Sequence, residues 1–283
     1  MNKLVDKGIK DKVIVVTGAT GVLCSSMCED FLAHGAKVVL LVRNLDKAAA
    51  LMKKLAKKKL DKNAYPVQGD VLDREGLEKA RKVILKKFKR IDVLVNGAGG
   101  NHPKGTAPAE QMTKDTPLAD TFFGMSPDGF EFVNKLNLIG TIMPCQIFGQ
   151  DLIKSKGCIL NYASMACFQP MTKVAAYAAA KAAILNFTSW LATHLAPMGV
   201  RVNAVAPGFF VTEQNRFLLT DPKAPNGLTA RGNKVINKTP MRRFGEPADL
   251  HGACRFLIDN EAAAFVTGVT LPVDGGFMCY SGV

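Results

Sequence analysis

The chain has 283 residues, 48% of them hydrophobic, enough to bury a large core and short enough for one α/β domain rather than two. No apolar run reaches the ~18 residues that a membrane span requires, and the opening MNKLVDKGIK carries no hydrophobic signal region, so a cytoplasmic protein is expected. The net charge of +13 raises nucleic acid, a membrane surface or an anionic ligand as partners.

Much of that charge lies in KKLAKKK (53–59) and KKFKR (86–90), where lysines alternate with apolar residues at helical spacing. This pattern predicts solvated outer faces of amphipathic helices. No stacking aromatics interleave with these lysines, so neither nucleic acid nor a membrane is expected as a partner. The cysteines at 24, 28, 145, 158, 167, 254 and 279 form no CxxC pair and no ligand cluster with histidine. They read as reduced core thiols, with no disulfide and no metal site expected.

Apolar β-branched runs alternate with longer helical patterns from end to end. Strands are predicted near 13–17, 37–42, 64–69, 91–96, 157–163, 200–206 and 267–272, and helices near 22–34, 46–59, 73–88, 128–153, 174–196 and 246–259. The alternation predicts an α/β fold in a single domain over residues 1–283. The expected architecture is a Rossmann-type doubly wound parallel sheet of about seven strands, with helices on both faces.

In the first unit, VIVVTGATG is a buried strand running into a glycine turn and a helix. Gly18 permits the tight turn, and the helix N-terminus offers unpaired amides to a pyrophosphate, although the segment by itself also fits an ordinary βα turn. At the end of the second strand, VVLLVRN, a carboxylate would bond the 2′-hydroxyl of NAD. Val42 stands there instead, followed by Arg43, whose planar fork suits a 2′-phosphate. NADP(H) is therefore favoured over NAD(H), although Arg43 stacking on adenine would serve either.

Residues 100–127, rich in Gly, Pro and Thr, follow a strand whose C-terminal end faces the ligand crevice in such a sheet. Residues 207–240 form a second long excursion after the sixth strand. Both are assigned to substrate enclosure as loops or a lid. They supply Asn101 and His102 from the first, and Gln214, Asn215 and Arg216 from the second, as candidates for holding a polar substrate. Arg216 could hold a substrate carboxylate and His102 or Asn101 a hydroxyl, while Arg216 is equally apt to lie on the surface of a short lid helix, and His102 to cap a turn before Pro103.

The apolar run CILNYA reads as a buried strand ending at Ser164. Tyr177 and Lys181 are four apart in the alanine-rich AAYAAAKAAILNF, so in a helix they leave the same face. An ammonium near the phenol lowers its pKa from about 10 towards working pH, which makes Tyr177 a candidate general acid/base. Alone, Tyr-x-x-x-Lys is a pattern that chance also produces in a lysine-rich chain.

TGATGVLC (17–24), GDV (69–71), NGAG (96–99), Asn137, Ser164, Tyr177, Lys181, APGFFVT (206–212) and PVDGG (272–276) stand together in one order and spacing. Over nearly the whole chain this resembles the short-chain dehydrogenase/reductase family. The wording VLVNGAGGNHPKGT and APGFFVTEQNRFLL resembles its sugar-acid branch, of the D-mannonate oxidoreductase (D-fructuronate reductase) kind.

The resemblance implies a catalytic tetrad of Asn137, Ser164, Tyr177 and Lys181. Ser164 would hold the substrate oxygen, and Tyr177 would transfer the proton. Lys181 would depress the tyrosine pKa and bond the nicotinamide ribose, and the main chain of Asn137 would bind a water linking Lys181 to solvent. A helix kink or a loop bond is the plainer reading of Asn137.

For the cofactor, the resemblance implies Gly18, Thr20, Gly21, Val22 and Leu23 at the pyrophosphate turn and Arg43 and Asn44 at the adenosine ribose. Asp70 and Val71 fall at adenine, Asn96, Ala98 and Gly99 in the segment that packs beside the cofactor and stabilises the central strand, and Tyr177 and Lys181 at the nicotinamide ribose. Pro207, Gly208, Val211 and Thr212 fall around the nicotinamide. It also implies a homotetramer and a sugar-acid substrate.

Rival readings are a 3-oxoacyl-carrier-protein reductase, a gluconate dehydrogenase-like enzyme, and a non-catalytic dinucleotide-binding sensor or scaffold. The chain departs from the family in carrying Val22 and Cys24 where the turn has glycines, Gly97 for the second asparagine of NNAG, and Ala163 for a common second serine.

Overall fold

A computed structural model of the chain describes residues 8–212 and 215–282. Among them, parallel strands β1 (Val13–Thr17), β2 (Lys37–Val42), β3 (Ala64–Gln68), β4 (Val93–Asn96), β5 (Cys158–Tyr162), β6 (Arg201–Pro207) and β7 (Thr270–Val273) form one sheet. Its order is β3-β2-β1-β4-β5-β6-β7. The chain builds outward from β1 to β3, then returns to place β4 on the other side of β1. That reversal opens a crevice at the C-terminal ends of β1 and β4, where such sheets bind ligands.

The strands read as unbroken apolar runs because both faces of the sheet are covered. Ile14, Val16, Val38, Leu40, Val93, Val95 and Leu160 face one core with Phe31, Leu55 and Leu257. Val13, Val15, Val39, Leu41, Leu94 and Ile159 face the other with Leu77, Ile84 and Phe148. Each such buried side chain contributes roughly 1.5–3 kcal/mol, so a one-residue slip of any strand would exchange its two faces.

Helices α1 (Val22–Ala33) and α2 (Leu45–Lys57) cover the first face, and α3 (Arg74–Phe88) covers the second. In α2, Ala48, Leu51 and Leu55 point inward and the lysines of KKLAKKK outward, with Asn44 capping the helix. In α3, Leu77, Ala80 and Ile84 are buried while Lys82, Lys86 and Lys87 are exposed. Of the cysteines, five lie in the core, Cys167 is half-buried and Cys279 is exposed. No described helix is long and apolar enough to cross a membrane.

The helix expected over 128–153 is interrupted. It consists of α4 (Pro127–Asn134), a π turn (Lys135–Ile139) and α5 (Gly140–Ser155). Asn137 sits in the π turn, where its amide donates to the Val133 and Gly100 carbonyls. Pro144 further along α5 has no N–H to return to the preceding turn, which loosens the same stretch.

The long helix α6 (Ala175–Leu195) follows as expected. The 207–240 excursion holds two helices that periodicity did not indicate, α7 (Arg216–Leu219) and α8 (Ala230–Lys238). Helix α9 (His251–Ile258), preceded by a single 3₁₀ turn, packs on α1. There Asp30 of α1 receives Arg255 at 2.6 Å and lies 3.3 Å from His251.

Candidate functional site

The glycine turn after β1 has the shape of an anion cradle. Gly18 has φ +64°, and a Cβ there would come within 2.8 Å of the Ala98 backbone, so only glycine lets the turn approach the end of β4 so closely. Gly21 caps α1 with no side-chain hydrogen bond, and the first turn of α1 has no acidic residue. The leading amides of this twelve-residue helix therefore point, without a side-chain partner, into the crevice at the reversal of strand order.

That donor set fits a dinucleotide pyrophosphate. Thr17 Oγ1 accepts the amides of Gly97 and Ala98 at 3.1 Å each and so pins the loop after β4 against the turn. The sequence reading did not single out Thr17.

Val22 is exposed and Leu23 and Thr20 are half-buried on this turn. Cys24 is buried, with its Sγ 3.7 Å from the Gly97 carbonyl, and burial pushes its thiol pKa up to about 12. The two departures from the family pattern thus meet in space, because a Cβ on Gly97 would overlap the Cys24 sulfur.

At the end of β2, Arg43 is exposed, and its carbonyl accepts from Gln68 at 3.3 Å. Asn44 uses its side-chain oxygen to cap α2 through the amides of Asp46 and Lys47. After β3, Asp70 Oδ1 accepts the Leu72 amide at 2.9 Å. Val71 is buried against Gly140.

Asn96 is buried at the end of the central strand β4. Its amide bonds Asn161 at 2.9 Å and Cys145 at 3.1 Å beneath α5 and α6, while its buried Oδ1 has no partner. Asn161 in turn bonds Thr188 of α6 at 2.9 Å, making a ladder that joins β4, β5 and α6.

The four tetrad positions converge on the end of β5. Ser164 is buried just beyond the strand, with its Oγ accepting the Ala166 amide at 3.2 Å. The Ser164 hydroxyl also lies close enough to the Tyr177 phenol to pull its pKa down. Tyr177 packs against Val133, Ala176 and Ala180, with Lys181 Nζ 5.5 Å from its ring centroid.

Lys181 is buried and donates to the Tyr162 carbonyl at 2.7 Å. Burial pulls its pKa down from 10.5 to about 8. Asn137, fully buried, holds the Gly100 backbone through its amide at 2.7 Å. A Cβ on Gly99 would lie 2.7 Å from Asn137 Oδ1 and 3.4 Å from Lys181 Nζ, so this glycine is where the two side chains meet. The Asn137 carbonyl already accepts the Thr141 hydroxyl at 2.8 Å.

The pKa of Tyr177 departs from the expectation. Burial raises it above the ordinary 10, the Ser164 hydroxyl pulls against that, and the shift is upward overall. The Lys181 ammonium is turned to the Tyr162 carbonyl, and burial erodes its own charge near pH 8. The phenol is therefore a proton holder across the neutral range.

The substrate candidates are not brought into one constellation. Asn101 donates to Thr106 at 2.9 Å. His102 accepts the Lys104 amide at 3.2 Å and packs on Phe132, so it serves as a turn cap. Asn215 is spent on the Thr212 amide at 2.7 Å and the Phe210 carbonyl at 2.9 Å. Arg216 is exposed on the four-residue α7, and Gln214 lies outside the described residues.

Pro207 closes β6, and Gly208 passes so close to Asp274 that a Cβ would lie 2.7 Å from it. Val211 and Thr212 are half-buried in the following loop. A cavity of about 380 Å³ lies at this end of the sheet between Phe209, Arg243 and Gly275, and no tetrad residue lines it.

Residues 12–223 match the family model described as short chain dehydrogenase. An uncharacterized oxidoreductase, UxuB, of Bacillus subtilis (strain 168) is 45% identical over 278 residues, covering 98% of each chain. A structure from Haemophilus influenza with bound NAD, assigned provisionally as a D-mannonate oxidoreductase, is 42% identical with a TM-score of 0.92. It covers 99% of this chain and 100% of that one.

A gluconate 5-dehydrogenase from Burkholderia cenocepacia J2315, in complex with NADP and tartrate, is 28% identical with a TM-score of 0.82. It covers 97% of this chain and 98% of that one. Sheet order, glycine turn and these likenesses agree, and the chain belongs to the short-chain dehydrogenase family of nicotinamide-dependent oxidoreductases.

Proposed function

We propose that the enzyme reduces the keto group of a sugar acid of the D-fructuronate kind to the corresponding alcohol, or runs the reverse. NADP(H) is favoured and NAD(H) is the alternative. The observation that carries the reading is the gathering of Ser164, Tyr177 and Lys181 at the end of β5, with Lys181 one helical turn along from Tyr177 and Asn137 meeting it at Gly99. The likeness to the provisionally assigned D-mannonate oxidoreductase supports the choice of substrate.

A bound nicotinamide supplies or accepts hydride. The chain's own residues orient the partners and handle the proton. Ser164 holds the substrate oxygen beside the phenol, and Tyr177, kept protonated by burial, donates to that oxygen. Lys181 offers a nearby cation whose proton, with its pKa near 8, is held less tightly than that of an ordinary lysine. Asn137 keeps the Gly99–Gly100 backbone against Lys181.

At the far end, the α1 amides take the pyrophosphate, and the fork of Arg43 faces no competing carboxylate at Val42. Asp70, through whatever acceptor capacity the Leu72 amide leaves it, bonds adenine. Pro207, Gly208, Val211 and Thr212 border the nicotinamide. The net charge of +13 draws an anionic substrate and cofactor towards the protein. A homotetramer in the cytoplasm completes the proposal.

Initial rates of NADPH and NADH oxidation against D-fructuronate, keto-gluconates and a 3-oxoacyl thioester test substrate and cofactor together. The expected result is preference for the keto-uronate. Preference for the thioester would replace this reading with that of an acyl reductase, and absence of turnover with every keto compound would leave a dinucleotide-binding protein.

A further inference from the structure

Helix α8 lays one basic face along the segment that joins Ser164 to Tyr177. Arg231, Lys234 and Lys238 are three and four residues apart, so they share that face. Arg231 Nη1 donates to Thr172 at 3.3 Å and to Glu110 at 3.2 Å. Lys234 reaches the other Glu110 oxygen at 2.8 Å, and Lys238 reaches Gln169 at 3.3 Å. The two excursions, 100–127 and 207–240, are therefore clasped through Glu110 beside the segment leading to the proton donor.

The charges in this clasp do not cancel. Lys173 also acts on the Glu110 carboxylate, so three cations gather around one anion. Lys173 holds a left-handed backbone at φ +74°, a conformation that disfavours a lysine, while its carbonyl accepts the Ala107 amide at 2.8 Å. The Arg231 side chain is 22% exposed. Both of its recorded bonds use Nη1, which leaves Nε and Nη2 unengaged among the described residues. A guanidinium fixed at one corner, with the rest of its fork open, is preorganised for a second carboxylate. Arg216, by contrast, is exposed on a single turn of helix and its guanidinium makes no recorded contact among the described residues.

We infer that Arg231, held by Glu110 and Thr172, is the residue that binds the carboxylate of the sugar-acid substrate. The inference rests on the sugar-acid reading and names the group that would give it specificity.

D-fructuronate and D-fructose differ in the carboxylate and so isolate its contribution. In the full-length enzyme, R231M is expected to lower the ratio of kcat/KM for fructuronate over fructose at least ~10-fold, the scale of a lost charge-assisted pair. The loss is expected in KM, with R231K recovering part of it and R216M holding the ratio within about twofold. If fructose turnover is too slow to measure, KM against kcat for fructuronate decides. A rise in KM with kcat nearly held supports the anchor, and a fall in kcat at unchanged KM overturns it.

Cofactor binding by R231M, followed through NADPH fluorescence, verifies that the variant is folded. A misfolded R231M passes the decision to R231K, whose KM for fructuronate must exceed that of the wild type. Parallel losses on both sugars, or no loss on either, would make Arg231 a fastener of α8 only. A wild type that prefers fructuronate while R231M is unaffected overturns the anchor alone. A wild type that reduces only a thioester overturns the sugar-acid reading and the anchor with it.

Discussion

The Cys24 sulfur fills the space that a side chain at residue 97 would need, so the thiol of α1 and the missing side chain after β4 form one packing unit. Each is a departure from the family pattern, and each makes room for the other. G97N alone is expected to destabilise the protein by about 1–3 kcal/mol through overpacking. C24G is expected to cost stability in the parent background and to cost less, or restore stability, in that variant, because it frees the space the new side chain needs. Urea unfolding of the four proteins gives the coupling, and additivity within about 0.5 kcal/mol would show the two sites to be independent.

Replacing Tyr177 by phenylalanine removes the proposed transferable proton and the interaction of the phenol with the Ser164 hydroxyl. The rate of the chemical step is expected to fall at least ~10²-fold, with a loss of stability of only about 1 kcal/mol. Single-turnover reduction and thermal unfolding, measured on the same preparation, separate the two effects. Near-normal turnover in this variant would assign the proton to another group.

Burial sets the Lys181 pKa near 8 and holds the Tyr177 phenol above its ordinary range. For reduction, kcat/KM is expected to be level below neutrality and to fall as pH rises through about 8, where Lys181 loses its proton. The companion effect on stability has a definite sign. Between about 8 and 10.5 the unfolded chain holds a proton on this lysine that the folded protein has released, so its contribution makes stability rise with pH across that window. K181M should flatten both dependences. A rate profile unchanged in K181M would remove Lys181 from the proton path.

Arg43 projects from the end of β2 into solvent, with no carboxylate at Val42. R43A is expected to weaken NADPH binding by roughly 10-fold or more, the scale of one lost phosphate pair, and NADH much less. Titration of each dinucleotide by fluorescence measures the difference. Equal weakening would mean that the guanidinium stacks on adenine.

The sheet was legible in the sequence because both faces are buried, which makes each strand a continuous apolar run such as VIVVT or KVVLLV. The lysine-rich segments were read as helix faces by the same logic and pack that way. The residues that meet near Tyr177 were named from motif order, but their hydrogen bonds were hidden. Asn96, expected beside the cofactor and as a stabiliser of the central strand, bonds Asn161 of the neighbouring strand, a partner that only the β4–β5 register supplies. Lys181 was expected to acidify Tyr177, yet its ammonium is captured by a main-chain oxygen that no side-chain pattern announces. Helix α8 was read as loop because ARGNKVINK is short and polar, and its role comes from contacts with residues over a hundred positions away.

The π turn at Lys135–Ile139 places one surplus residue between two helical halves that would otherwise be a single rod. Removing that surplus, for instance by deleting Leu138, would let α4 and α5 fuse into better hydrogen-bonded helix while rotating Asn137 by about a quarter turn relative to one half. The backbone would become more regular and the grip on Gly100 would be lost. In this protein, then, helical perfection and the hold of Asn137 on the loop after β4 are competing ends, and the chain has settled for the irregular helix.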